Sequence, residues 1–275
     1  MRLGCILIAA GLLAACGQER EAAPAEAPVA APAPSEPSEL SSALEEEPAP
    51  LPADDVDYQT LSGYDSTWYV SAGWPGEYPA GFAVLDAGIS APAWTVPNGD
   101  READASCTLP QYANYQLWNT ERVEGDDLRF FVATKTFPVT LNQNASVEYI
   151  SDGEIRKLEL TAGDQLTFLR YLGEGFTVLS FEGVEYGINE AELRDVSDIG
   201  SMPTVEDQWV RVTCADGSQP WLLYAAMIEL DGVVPSPMLA YGESWDIAPE
   251  DVEQVRAEAE ANRLAYEGLE PGVLE

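Results

Sequence analysis

Apolar residues in the middle of this chain come in short runs, and glycine turns interrupt them about every ten residues. The runs 128–132, 165–171, 176–181 and 208–214 place apolar side chains wholly or partly at alternate positions, the period of a strand with one buried face. Between or after them stand Asp152-Gly153, Ala162-Gly163-Asp164, Glu182-Gly183 and Asp216-Gly217, whose residue types suit tight reversals. The spacing predicts a mainly β protein made of small antiparallel modules. One helix is expected, at the C-terminus, where Pro249, Glu250 and Asp251 open a run that ends before Gly268. Val252, Val255, Ala259 and Tyr266 fall on one face of it, interrupted by Asn262, and that stripe is expected to pack on the β part.

The other end of the chain carries an address. Arg2 precedes thirteen mostly apolar residues, against the roughly 20 that a spanning helix needs. Residues 1–15 therefore read as an export signal, and Leu12-Leu13-Ala14-Ala15-Cys16-Gly17 closes it with small residues and a cysteine. Leu13-Ala14-Ala15-Cys16 resembles the lipobox of bacterial lipoproteins. The resemblance implies cleavage before Cys16, lipidation of its thiol and amino group, and a membrane partner reached through the lipid. Several acyl chains on one residue anchor stably where a single chain holds only marginally. In that family an aspartate after the cysteine favours the inner membrane; Gly17 stands here, which implies the outer membrane facing the periplasm.

From residue 16 to 57 the chain is built of Ala, Pro, Glu and Ser, with too little aromatic and branched apolar content to bury a core. It is expected to be a disordered, semi-extended linker. This stretch holds eleven acids and one arginine, and the remaining 218 residues hold 37 acids against eleven basic residues, within a formal net charge of −35. Such a balance excludes unspecific nucleic-acid binding, which needs a basic footprint. It also disfavours adhesion to anionic lipid. Solubility and tolerance of salt account for the acidity without a specific cation.

Cys5 leaves with the signal, so Cys107 and Cys214 remain beside the lipid-bearing residue. Exported chains meet an oxidising compartment, and an even pair there is expected to close a disulfide. No histidine is present to activate a thiolate instead.

A second resemblance lies in the centre. Leu160-Thr161-Ala162-Gly163-Asp164-Gln165-Leu166-Thr167-Phe168-Leu169, then Gly175-Phe176-Thr177-Val178, then Glu182-Gly183-Val184-Glu185-Tyr186-Gly187-Ile188 and finally Leu193 look like a bacterial Src homology 3-like barrel. Phe137-Pro138-Val139-Thr140-Leu141-Asn142 would be its leading segment, and Trp209-Val210-Arg211-Val212 with Asp216-Gly217 and Trp221-Leu222-Leu223 a partial second copy. The hairpin tryptophan usual in that family is replaced by Tyr186 or Phe176. The resemblance implies a barrel over residues 134–200. The full division is then a signal peptide (1–15), the lipidated Cys16 and linker (16–57), an N-terminal β module (58–133), the barrel, a C-terminal β segment (201–247), and a helix with its tail (248–275).

The loop Gly73-Trp74-Pro75-Gly76-Glu77-Tyr78-Pro79-Ala80-Gly81-Phe82 cannot be a regular helix or central strand. Its aromatics either cover a core edge or line a groove for an extended peptide. Trp74, Tyr78 and Phe82, together with Tyr171, Glu174, Phe176 and Tyr186, make up the candidate ligand-binding surface. Glu174, between two glycines, reads as a solvated turn residue sooner than as a catalytic acid.

Reaction chemistry finds little support. Without histidine the Ser/His/Asp, Cys/His and His-based metal sites are excluded. No Walker loop or dinucleotide fingerprint occurs, and no cofactor is expected. Asp195-Val196-Ser197-Asp198-Ile199-Gly200 with Glu206 approaches a calcium loop, but Ile199 occupies a ligand position. The expected role is non-enzymatic: an envelope lipoprotein that binds cell-wall peptide or an envelope protein. Two alternatives are a wall glycosidase using paired carboxylates, and an assembly lipoprotein docking through its C-terminal helix.

Overall fold

The strands in chain order are β1 (Trp68–Ala72), β2 (Phe82–Val84), β3 (Ser90–Ala93), β4 (Ala105–Thr108), β5 (Asn114–Tyr115), β6 (Leu128–Lys135) and β7 (Phe137–Thr140). They continue with β8 (Ala145–Ser151), β9 (Glu154–Leu160), β10 (Gln165–Gly173), β11 (Phe176–Phe181), β12 (Val184–Asn189), β13 (Glu206–Val212), β14 (Trp221–Leu223) and β15 (Val233–Pro235). Helices are α1 (Tyr58–Leu61), α2 (Thr120–Glu124), α3 (Tyr224–Met227) and α4 (Val252–Tyr266). The computed structural model describes residues 56–73, 81–201, 203–237 and 242–266. Cys16, the linker up to residue 55, Trp74 and Tyr78 lie outside the described residues. The class is mainly β, antiparallel throughout, with one long helix at the C-terminal end.

Strands β1-β6-β13-β14 form the first sheet, and it is buried on both sides. On one face Phe131, Ala133 and Trp209 join Tyr58, Tyr64, Trp68, Trp94 and Trp221 in an aromatic core. On the other, Leu128, Val210 and Val212 join Phe82, Tyr115, Leu222 and the Cys107–Cys214 disulfide. That is why β6 reads Phe130-Phe131-Val132-Ala133, an apolar run instead of a clean alternation. Edge-to-face packing of Trp94 on Trp209 at 5.2 Å and of Phe131 on Trp221 at 4.9 Å orders the aromatic side. Two backbone hydrogen bonds between Trp94 and Trp221 tie the β3–β4 hairpin to the sheet edge.

The second sheet has the order β7-β10-β11-β12-β8-β9. Its core gathers Val139, Leu141, Val147, Leu160, Leu166, Phe168, Leu179, Ile188 and Leu193, all at most 3 % exposed. Two-residue loops close three of its hairpins, at Asp152-Gly153, Glu174-Gly175 and Glu182-Gly183. Both residues of each loop have positive φ, the geometry of type I′ turns that match strand twist. A 3-10 turn over Glu190–Glu192, capped by Asn189 Oδ1 accepting from Ala191 N at 3.0 Å, delivers Leu193 into the core. Beyond it Leu141 and Ser197 form a bridge, and Asp198 Oδ1 accepts from Thr140 N at 2.6 Å, so the start and end of the region meet. Only Thr136 separates β6 from β7, and its N–H and hydroxyl both donate to Thr67 O, fixing the junction of the two sheets.

Four sequence expectations change. The segment 201–247 does not stand apart from 58–133: β13 pairs with β6 over seven residues, from Glu206↔Thr134 to Val212↔Leu128. The partial second copy is therefore an antiparallel β13–β14 hairpin inside the first sheet, not a further barrel. Phe82 is fully buried, 4.8 Å from the Tyr115 ring, so it belongs to the core and not to a surface. In α4 the buried face is Val255 and Leu264, with Val252 and Ala259 partly covered; the sequence stripe had left Leu264 out. Val252 and Val255, whose exposure a docking helix needs, pack with Ala83, Leu85 and Ile247.

Candidate functional site

Strands β10, β11 and β12 form a meander with two different faces. Cross-strand partners share a face. Phe168, Leu179 and Tyr186 form one inward row, and Tyr171, Thr177 and Ile188 the next. Outward rows are Thr167, Ser180 and Glu185, then Arg170, Val178 and Gly187, then Gly173, Phe176 and Asn189. The register slips by one residue between Phe168 and Arg170. In a regular strand Phe168 and Arg170 would point the same way; the bulge at Leu169 turns Arg170 to the outer face.

The outer face abuts the first sheet through β1. Tyr69 Oη donates to Glu185 Oε2 at 3.0 Å. Burial, then the Glu185 charge and hydrogen bond, raise the Tyr69 phenol, and the nearby Arg170 charge opposes them. Arg170 Nε–H is buried with no acceptor, and among the described residues no carboxylate pairs with its guanidinium. Beside it Gly187 has no positive φ, so no backbone strain demands glycine there. A Cβ at that position would rest 3.8 Å from Leu172 Cδ1, on the floor of the same face. Leu172 and Phe176 are 38 % and 39 % exposed.

The sequence candidates are thus divided. Tyr171 and Tyr186 face inward and pack on the second core; Tyr186 meets Tyr149 edge-on at 4.9 Å. Tyr171 Oη accepts from Gly175 N at 2.9 Å and pins the turn that holds Glu174. Glu174 is exposed at φ +51°, and only Phe176 of the four lies on the outer face. Arg170, Glu185 and Tyr69 were not singled out from sequence. The available signal was a lone arginine inside the apolar run Leu166-Thr167-Phe168-Leu169-Arg170-Tyr171.

Two other polar centres are built differently. Asp246 Oδ1 accepts from Arg122 Nε (3.0 Å), Asn114 N (3.0 Å) and Asn119 Nδ2 (3.2 Å), while Oδ2 accepts from Arg122 Nη2 (2.7 Å). Burial raises this carboxyl, but those hydrogen bonds and the Arg122 charge outweigh it and hold it below the usual carboxylate range. The network anchors a segment whose Trp245 is 67 % exposed, next to a cavity of about 160 Å³ lined by Asn114, Pro237, Ser244, Trp245 and Ile247. In the aromatic core Tyr64 Oη donates to Asp207 Oδ2 and accepts from Trp209 Nε1 (2.8 Å) and Gly99 N (3.0 Å). Burial, then the Asp207 hydrogen bond and charge, raise the Tyr64 phenol far above its ordinary value.

Burial also raises Asp207 and its neighbour Glu206. Adjacent strand residues point to opposite faces, so these two carboxyls do not converge on one substrate. Among the described residues no group of three or more carboxylates or cysteines is placed to hold a metal ion. No protein-family model, curated protein or solved structure matches the chain.

Proposed function

We propose that the chain is a lipid-anchored protein of the bacterial envelope, tethered through Cys16 to the outer membrane and facing the periplasm. Its body acts there as a non-enzymatic binding module for cell-wall peptide. The observation that carries the address is the run Leu13-Ala14-Ala15-Cys16 behind a short apolar segment. The Cys107–Cys214 bridge supports it, because structural disulfides persist in exported proteins and are rare in reducing compartments.

The binding role draws support from the second sheet. Its antiparallel meander, 3-10 turn and closing Leu141–Ser197 bridge suit a Src homology 3-like module. The outer meander face, with Leu172 and Phe176 partly exposed beside polar groups, has the mixed character of a peptide-binding surface. Mass spectrometry of the native N-terminus tests the address: an unmodified Cys16, or a retained residue 1, refutes it. Pull-down on purified wall fragments tests the role; binding that survives Leu172→Asp and Phe176→Asp together refutes this face.

A further inference from the structure

We propose that the outer face of the β10–β11–β12 meander reads the carboxylate end of a short peptide, with Arg170 as the reading group. The inference rests on the wall-peptide reading above and gives it a ligand chemistry.

Arg170 stands out in its treatment by the fold. Arg122, Arg129, Arg156, Arg194, Arg256 and Arg263 each hold a carboxylate within 4.0 Å. Arg211 Nε donates to the Gln219 carbonyl, and Arg101 is exposed to water. Arg170 is half-buried: its Nε–H is covered and has no acceptor among the described residues, while its Nη edge, also without a hydrogen bond or ion pair there, is not covered and is the edge a ligand can reach, in a chain of formal charge −35. A buried donor without a partner calls for an explanation. The bulge at Leu169 sharpens the point: regular pairing would have turned this side chain to the opposite face.

The surroundings select the occupant. A guanidinium is a planar fork that matches a carboxylate in bidentate fashion. Gly187 adds no side chain to the row that Arg170 and Val178 share, which leaves room beside the fork. Glu185 spends one oxygen on Tyr69, and its exposed carboxylate can accept a peptide N–H with the other. Leu172 and Phe176 offer apolar contact for a small side chain. The acidic body repels polyanions, so the occupant carries one carboxylate and little other negative charge.

The test uses the detergent-solubilised full-length chain with ¹⁵N-labelled arginine, titrated with N-acetyl-alanyl-alanine, with its C-terminal amide, and with inorganic phosphate. The acid should shift the Arg170 Nε–H resonance saturably and bind about tenfold or more tighter than the amide, the size of a charge-assisted pair. Arg170→Gln should abolish the difference between acid and amide. Arg170→Lys, a point charge without a fork, should restore only part of it. Equal affinity for acid and amide in the parent chain overturns the proposal, even if Arg170→Gln fails to fold. Displacement of the dipeptide by equimolar phosphate also overturns it, since that is a site for any anion. Wall fragments still captured by Arg170→Gln would refute the carboxylate reader and leave the wall-binding reading standing.

Discussion

Removing the Cys107–Cys214 bridge tests how the β3–β4 hairpin is held to the first sheet. The cysteines are 107 residues apart, and the closed loop contains the whole second sheet as well as β6. Both sulfurs lie in the core under the first sheet, with the residues 0 % and 4 % exposed. In the chain-entropy model a loop of this length stabilises the fold by about 4.8 kcal/mol at 25 °C. For a body of this size each kcal/mol moves the midpoint by about 2–4 °C, so Cys107→Ala/Cys214→Ala should lower Tm by roughly 10–20 °C. Urea unfolding followed by circular dichroism measures the same loss at fixed temperature. The opened chain exposes more surface when unfolded, so the variant should also show a steeper denaturant slope. Parent protein reduced before unfolding should match the variant. A loss below about 1 kcal/mol with an unchanged slope would refute the argument that the bridge acts by restricting the unfolded chain.

Three further outcomes follow from the hydrogen-bond networks and turns. Tyr64→Phe removes one donor to Asp207 and one acceptor shared by Trp209 Nε1 and Gly99 N, so it should cost about 2–4 kcal/mol in urea unfolding; an unchanged midpoint would mean that water replaces the hydroxyl. Burial raises the Asp207 and Glu206 carboxyls in the fold, so the folded state binds protons more readily than the unfolded one. Their contribution is full below the ordinary carboxylate pKa and is lost as pH rises through the raised values. Asp207→Asn should therefore flatten the decline of stability as pH rises above the ordinary aspartate pKa of about 4, and an identical slope in parent and variant would contradict the assignment. Glu174→Gly relieves a left-handed residue at φ +51° and should stabilise by about 0.5–1 kcal/mol, whereas a loss of stability would show that the exposed carboxylate holds a partner.

Much of the second sheet could be read along the chain because its signals are local. Asp152-Gly153 and Glu182-Gly183 tolerate the positive φ that a two-residue hairpin needs, and the flanking residues alternate. The bridge was legible too, since Cys107 and Cys214 are the two cysteines beyond the N-terminal stretch that reads as an export signal, and no histidine is present to activate a thiolate instead. The first sheet was harder to read. In β13 Trp209 meets the aromatic core and Val210 the disulfide core, so consecutive residues are both buried and the period fades.

The chain by itself determined the strand class, the places of most glycine turns, the covalent pair and the acidic charge, all of which follow from residue type and short spacing. Only the tertiary structure decided that β13 pairs with β6, that Phe82 and Leu264 are core, and that Arg170 faces outward. Those outcomes depend on pairings across 72 (Glu206↔Thr134) to 84 (Val212↔Leu128) residues of sequence and on a one-residue slip in register. That slip reverses the faces of Arg170 and Tyr171 until a second shift between Tyr171 and Gly173 ends it, and no local propensity records it.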